Sequence, residues 1–284
     1  MAGTVVIMGA GGKMGARAAE KLGKNGQYNV VLCESNEERA RALEADGFRI
    51  AELKTAVPGA DFVLLAVPDA VIGKIADEVV PLMKEAATLI MLDAAAAYVN
   101  QLPDPGSLTF VIAHPCHPPF FTEQSTPEAR RDYFGGTAEQ DMVIALAAGS
   151  ESNFEVAKRL CIAIFSPVRK VYRVTTEQFA LLEPAMAEIV VAAAASLMRE
   201  SLEAAVEKGV PRDAAYAFMA GHARIAMAIV FGAEKSPFSD ACKIAIQWGT
   251  REIIREDWRK VFERGPLFEA ISEMLETEVV AKTS

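Results

Sequence analysis

The chain has 284 residues, 51% of them hydrophobic, and a formal net charge of −9. That length is enough to bury a large core in one big domain or two modest ones. The negative charge argues against a nucleic-acid partner, because a phosphate backbone repels it. The four cysteines, Cys33, Cys116, Cys161 and Cys242, are far apart with no C-x-x-C, so neither a disulfide framework nor a structural zinc site is expected. No run of about 20 uncharged apolar residues with membrane flanks stands out, and the N-terminus carries no basic leader pattern. A cytoplasmic protein with no membrane partner is the expectation.

The first 35 residues organise the rest. Val5-Val6-Ile7-Met8 reads as a buried strand that stops at Gly9, and a helical face of Met14, Ala18, Ala19 and Leu22 follows. Strand, glycine-rich turn and helix form the opening that offers free backbone N–H groups to a pyrophosphate. Gly9, Gly12 and Gly15 fit a G-x-x-G-x-x-G frame, with Gly11 also available for close approach. A second strand, Asn29 to Cys33, ends at Glu34, where a carboxylate accepts from adenosine ribose hydroxyls and repels a 2′-phosphate. NAD is therefore the expected cofactor, on Gly9, Ala10, Gly11, Gly12, Lys13, Met14, Glu34, Val67 and Asp69. Arg39 and Arg41 read as solvated helix surface.

Further along, a charged helix (Glu37 to Asp46) ends at Gly47, and a short strand is expected over Phe48–Glu52. Phe62–Val67 and Thr88–Leu92 read as strands of a parallel sheet, the first wholly apolar as in a strand buried on both faces. Leu108–Ala113 leads into His114-Pro115-Cys116-His117-Pro118-Pro119. The segment Phe120–Gln140 reads as a flexible excursion, and two more strands, Met142–Ala148 and Val168–Val174, flank a helix. From Thr175, which opens a capping box with Gln178, only helical patterns follow. The fold class is thus α/β: an N-terminal Rossmann doubly wound parallel sheet (1–174), then an all-helical domain (175–284) for substrate and dimerisation. Val190–Ser196 is apolar all round, which fits a helix buried inside the domain or against a second copy.

Three strand tips compete for the chemistry: Val67-Pro68-Asp69, Asp93-Ala94, and the histidine loop. Two of the three histidines sit three residues apart between prolines, and imidazole serves as acid, base or metal ligand near neutral pH. Cys116 between them reads as structural, since no activating partner or oxyanion site accompanies it. Glu183, before Pro184 at a break in a helical stretch, is a candidate base or ligand. His222 reads as a packed core histidine, and Asp240 with Lys243 as residues that a partner subunit brings to a substrate.

The two-domain plan with LLAVPD resembles the 6-phosphogluconate and 3-hydroxyisobutyrate dehydrogenase superfamily. It departs where that superfamily keeps a catalytic lysine: EQFALLEPAMAE holds none. GAGGKMG, the acid at 34, AHPCHPPFF and TTEQFALLEPAMAE together resemble the D-apionate oxidoisomerases. That resemblance implies NAD-dependent oxidation at C2 of a branched 2,3-dihydroxy sugar acid, then migration of a hydroxymethyl group from C3 to C2. It implies a divalent metal as in ketol-acid reductoisomerase chemistry, with His114 and Glu183 as ligands, His117 as acid–base, and Arg130 or Arg131 on the carboxylate. The alternative is a plain NAD-dependent hydroxyacid or semialdehyde dehydrogenase without rearrangement.

Overall fold

The computed structural model describes residues 3–281. The chain divides into two compact units: one runs through Leu181 and includes the segment from Phe268 onward, the other is Leu182–Leu267.

The first unit is built on seven strands: β1 (Thr4–Met8), β2 (Asn29–Cys33), β3 (Phe62–Leu65), β4 (Thr88–Met91), β5 (Thr109–Pro115), β6 (Gln140–Ala148) and β7 (Val168–Val174), in the order β2-β1-β3-β4-β5-β6-β7. β3 and β4 are buried at every residue, as their unbroken apolar runs require when helices cover both faces. All neighbours pair in parallel except β5 and β6, which are antiparallel, so the doubly wound sheet is mixed rather than purely parallel. Strand direction leaves no mark in residue periodicity, which is why the reversal was not expected. The sheet separates two apolar clusters, one on each face.

Helices α1 (Lys13–Asn25), α2 (Glu37–Ala45), α3 (Leu53–Ala56), α4 (Asp69–Val79), α5 (Ala95–Tyr98) and α6 (Glu151–Ile164) fill the crossovers. The strand expected over Phe48–Glu52 is absent as a strand: only Ile50 bridges, to Leu32, and the chain turns into α3 at Leu53. After β7, α7 (Thr176–Ala180) starts on the expected capping box, formed reciprocally by Thr175 and Gln178. Phe179 and Ala180 bury against the first unit's own residues.

The second unit holds α8 (Ala193–Glu207), α9 (Arg212–Val230) and α10 (Asp240–Ile253), and α11 (Arg264–Ala281) runs from it into the first unit. Between α7 and α8 the ladder widens to i→i+5 over Leu181–Ala192, around Pro184, whose missing N–H breaks the α register. Val191–Ser196 is exposed rather than buried inside the chain. The reading of His222 as a core histidine also fails: it is exposed on α9, its Nδ1 bonded to the Phe218 carbonyl and its ring stacked on Phe218. Thr176–Glu207 is, by length and composition, apolar enough to cross a membrane.

Candidate active site

The order β2-β1-β3 places a topological switch point between β1 and β3, where ligands bind outside the carboxyl ends of an open α/β sheet. Gly9 follows β1 with φ +70°, and a Cβ there would stand 2.5 Å from the Ala66 carbonyl at the end of β3. A Cβ on Gly15 would run into the Gly9 carbonyl, so helix α1 can press on the turn only with glycine there. Gly9 and Ala10 spend their N–H groups on the Cys33 carbonyl, and Gly12 donates to Gly9. Gly12 is the N-cap of α1 and brings no capping side chain, and the first intrahelical bond is from Ala16. The N–H groups of Lys13, Met14 and Gly15 are therefore presented at the positive end of the helix dipole. No acidic residue occupies the first turn to compete with an anion. Ala10 is fully buried and Met14 packs on the core, so what these two can offer a dinucleotide is backbone.

Glu34 ends β2 as expected. One carboxylate oxygen accepts the Gly11 N–H at 2.7 Å and the other the Asn36 N–H at 2.9 Å. Each oxygen keeps a second lone pair, the number two ribose hydroxyls need. Beside it lies a cavity of about 490 Å³ lined by Gly9, Glu34, Ile50, Leu53, Val67 and Ile75 among others. Its apolar walls suit an adenine ring, and its acidic rim does not suit a 2′-phosphate. Val67 thus lines the cavity, while Asp69 sits at the first position of α4.

His114 lies in β5, opposite Val143 of β6, and the ladder continues through Cys116, whose N–H bonds to Asp141. The His114 Nδ1 is 2.8 Å from the Leu92 carbonyl just past β4. A carbonyl can only accept, so Nδ1 carries the proton and Nε2 the lone pair. Burial pushes the His114 imidazole below the usual histidine range, against the pull of the Leu92 carbonyl. His117 adopts φ +58°, a left-handed conformation uncommon outside glycine, and its Nδ1 meets the Phe134 carbonyl at 3.1 Å. The two imidazoles meet edge to face with centroids 5.6 Å apart, and Phe134 packs on His117 at 5.3 Å. Lys13 sets its ammonium 5.7 Å from the Phe134 ring centre, linking the phosphate-facing turn to the histidine loop.

The expected flexible excursion is instead tied down. The Asp132 carboxylate accepts from the N–H groups of Phe134, Gly135, Thr137 and Ala138. Burial works to raise the pKa of this acid, but those donors together hold it below the ordinary aspartate value. Gln124 is buried within the same loop, and Gln140, which opens β6, is buried beside it. Both arginines are exposed, and Arg130 spends its Nε on the Gln124 carbonyl. Cys116 is exposed, and desolvation of its sulfur, with Asp141 adding to it, pushes the thiol up to about 11, which leaves little thiolate near neutral pH. Glu183 is half-buried in the widened helical stretch directly before Pro184. Sequence reasoning missed Asp132, Phe134 and Arg17. The run Asp132-Tyr-Phe-Gly-Gly, an aspartate followed by two glycines, was the available signal for the first.

Two family models match the chain: one described as phosphogluconate dehydrogenase (decarboxylating), C-terminal, over residues 122–275, and one as NADP oxidoreductase, coenzyme F420-dependent, over residues 4–97. Two proteins called D-apionate oxidoisomerase are similar throughout. That of Cupriavidus necator is 41% identical over 94% of this chain and 97% of its own length, that of Rhizobium rhizogenes 39% over 91% and 94%. A solved structure described as a semialdehyde dehydrogenase NAD-binding protein from Cupriavidus necator, in complex with calcium and NAD, superposes with a TM-score of 0.91. It is 40% identical and covers 98% of this chain and 99% of that one. An NADH-preferring ketol-acid reductoisomerase from an uncultured archaeon shares the fold at a TM-score of 0.71 and 20% identity, over 99% of this chain and 84% of that one.

Proposed function

Because this chain belongs to the D-apionate oxidoisomerase family, we propose that His117 runs the proton traffic of an oxidation followed by a rearrangement, with His114 beside it as a metal ligand. The protein is an NAD-dependent oxidoreductase of the oxidoisomerase kind, and conversion of D-apionate to 3-oxo-isoapionate is the reaction proposed for it. The turn after β1 and the N–H groups opening α1 fit a pyrophosphate, and Glu34 fits the ribose. That carboxylate favours NAD although one matched family is described by NADP. Bound NAD accepts the hydride from C2.

His117 Nε2 takes the C2 hydroxyl proton as the hydride leaves, giving a 2-oxo acid. Loss of the C3 hydroxyl proton then lets the hydroxymethyl group migrate with its bonding pair from C3 to C2. C3 becomes the ketone, and the C2 oxygen is reprotonated. The observation that carries this reading is the histidine pair at the tip of β5, each Nδ1 tied to a backbone carbonyl so that each Nε2 is the basic nitrogen. Arg131 is the better of the two arginines for the substrate carboxylate, since Arg130 is engaged.

For a divalent ion, His114 and Glu183 supply one imidazole and one carboxylate. An imidazole whose other nitrogen donates to a carbonyl is the usual form of a ligating histidine. Among the described residues no group of three such side chains stands together, so substrate oxygens would have to complete the ion's shell. Such an ion would polarise the C2 carbonyl and stabilise the C3 alkoxide.

The helical unit leaves Val191, Phe218 and Trp248 more than half exposed. A second copy of the chain is the proposed cover, consistent with the apolar helix Val190–Ser196. We place the reaction in the cytoplasm, where an NAD pool and free thiols agree with the four unpaired cysteines. The raised thiol of Cys116 counts against a thiol-dependent semialdehyde oxidation, and an unrearranged hydroxyacid dehydrogenase is separated by its product.

Incubating the enzyme with NAD and D-apionate, with NADH followed by absorbance and product by NMR, tests the proposal. Equimolar NADH and 3-oxo-isoapionate are expected, and an unrearranged 2-oxo acid as sole product contradicts it. Exhaustive chelation should abolish turnover, with one divalent ion restoring it; full activity after chelation removes the ion from the account.

A further inference from the structure

Arg17 takes no part in the chemistry above, yet it is a buried cation on α1, two residues past Gly15. A buried guanidinium is costly unless its donors are used. Its Nη1 donates to the Phe134 carbonyl at 3.1 Å, and its Nη2 to the carbonyls of Phe165, at 3.2 Å, and Gly135. Two of these three acceptors are already served by a neutral donor, for the Gln140 amide reaches Gly135 at 2.8 Å and Phe165 at 2.9 Å. The third is different. The Phe134 carbonyl accepts from Arg17 on one side and from His117 Nδ1 on the other. A carbonyl oxygen has two lone pairs, so both bonds coexist.

We propose that Arg17 is a positioning residue: by fixing the Phe134 carbonyl, it holds His117 as the Nδ1–H tautomer and ties that geometry to the cofactor-binding helix. This rests on the acid–base role of His117 given above. The Arg17 donation fixes where that carbonyl sits and which lone pair is left, and so the direction from which the imidazole N–H must come. The left-handed backbone at His117 has no regular ladder to hold it, so the ring's direction depends on this bond. Displacement of a proton-transfer group by about 1 Å costs on the order of 100-fold in rate.

The test uses the full-length enzyme with Arg17→Met and, as companion, Gln140→Leu, which loosens the same loop without touching the Phe134 carbonyl. Four quantities are read: the NAD dissociation constant, kcat, the thermal midpoint, and the imidazole ¹⁵N NMR pattern of His117. Arg17→Met should bind NAD within about twofold of wild type, lose about 10- to 100-fold in kcat, and show mixed His117 tautomers. Gln140→Leu should lower the thermal midpoint while kcat stays within about twofold and the single tautomer persists. The inference is overturned if Arg17→Met keeps one tautomer and its kcat, or if both variants lose kcat in step with stability. Should Arg17→Met fail to fold, Arg17→Lys keeps the charge but cannot bridge three carbonyls, and the same readouts apply. His117→Asn separates the two ideas: full activity there removes the proton role, while the tautomer of His117 in the Arg17 variant still decides this one.

Discussion

The sheet unit and the helical unit are built on opposite burial patterns. In the first, β3 and β4 are buried at every residue and helices supply a closed core on each face. In the second, α9 buries only Ala215 of its nineteen residues, and α10 buries none of fourteen. A unit with a filled core can hold a preorganised cofactor turn by itself. A unit whose apolar side chains face outward gains by being covered, and a second copy of the chain is the cover proposed.

The sharpest way to break this contrast is to charge the helical unit. Val191→Glu should raise the dimer dissociation constant by about 100-fold or more, since an unpaired buried charge costs roughly 3–5 kcal/mol. Sedimentation at several concentrations reads it. A wild-type chain that is monomeric at micromolar concentration, or that partitions into phosphatidylcholine vesicles, would show that something other than a second copy covers this surface. Within the sheet unit, Gly15→Val drives a side chain into the Gly9 carbonyl. Overpacking there costs about 1–3 kcal/mol, so NAD affinity should fall by about 10- to 100-fold with the oligomer intact. Glu34→Ser should weaken NAD and improve NADP, each by about tenfold, as steady-state KM values for the two cofactors will report.

The smallest effect falls on the loop. Asp132→Asn should lower the thermal midpoint by about 2–4 °C at pH 7. The folded-state pKa of Asp132 lies below its unfolded value, so its contribution is complete above that unfolded value and fades as pH falls through the folded one. The difference between wild type and variant should therefore close as the pH falls below about 4.

These contrasts also explain what could be read in advance. The first 35 residues were legible because the backbone itself imposes them: positive φ at Gly9 and contact at Gly15 admit only glycine, and Glu34 follows a strand of fixed length. The histidine loop was legible because its imidazoles are scarce and adjacent in sequence. Arg17 was not, for its acceptors lie 117, 118 and 148 residues away and are backbone carbonyls with no side-chain signature. The Phe48–Glu52 segment has the composition of a strand but forms one bridge before α3 begins. The apolar helix at Val190–Ser196 announced that it must be covered. What periodicity cannot state is whether the cover lies in the same chain; Val191 and Leu197 are exposed here, and a second copy is the cover proposed.

The most direct measurement of the central claim is a single-turnover reaction of His117→Asn with NAD and D-apionate. Asparagine can still donate to the Phe134 carbonyl but cannot carry a proton between substrate oxygens. The account predicts NAD binding close to wild type with NADH formation and rearranged product both slowed by about 100-fold or more. NADH and 3-oxo-isoapionate appearing at the wild-type rate would contradict it.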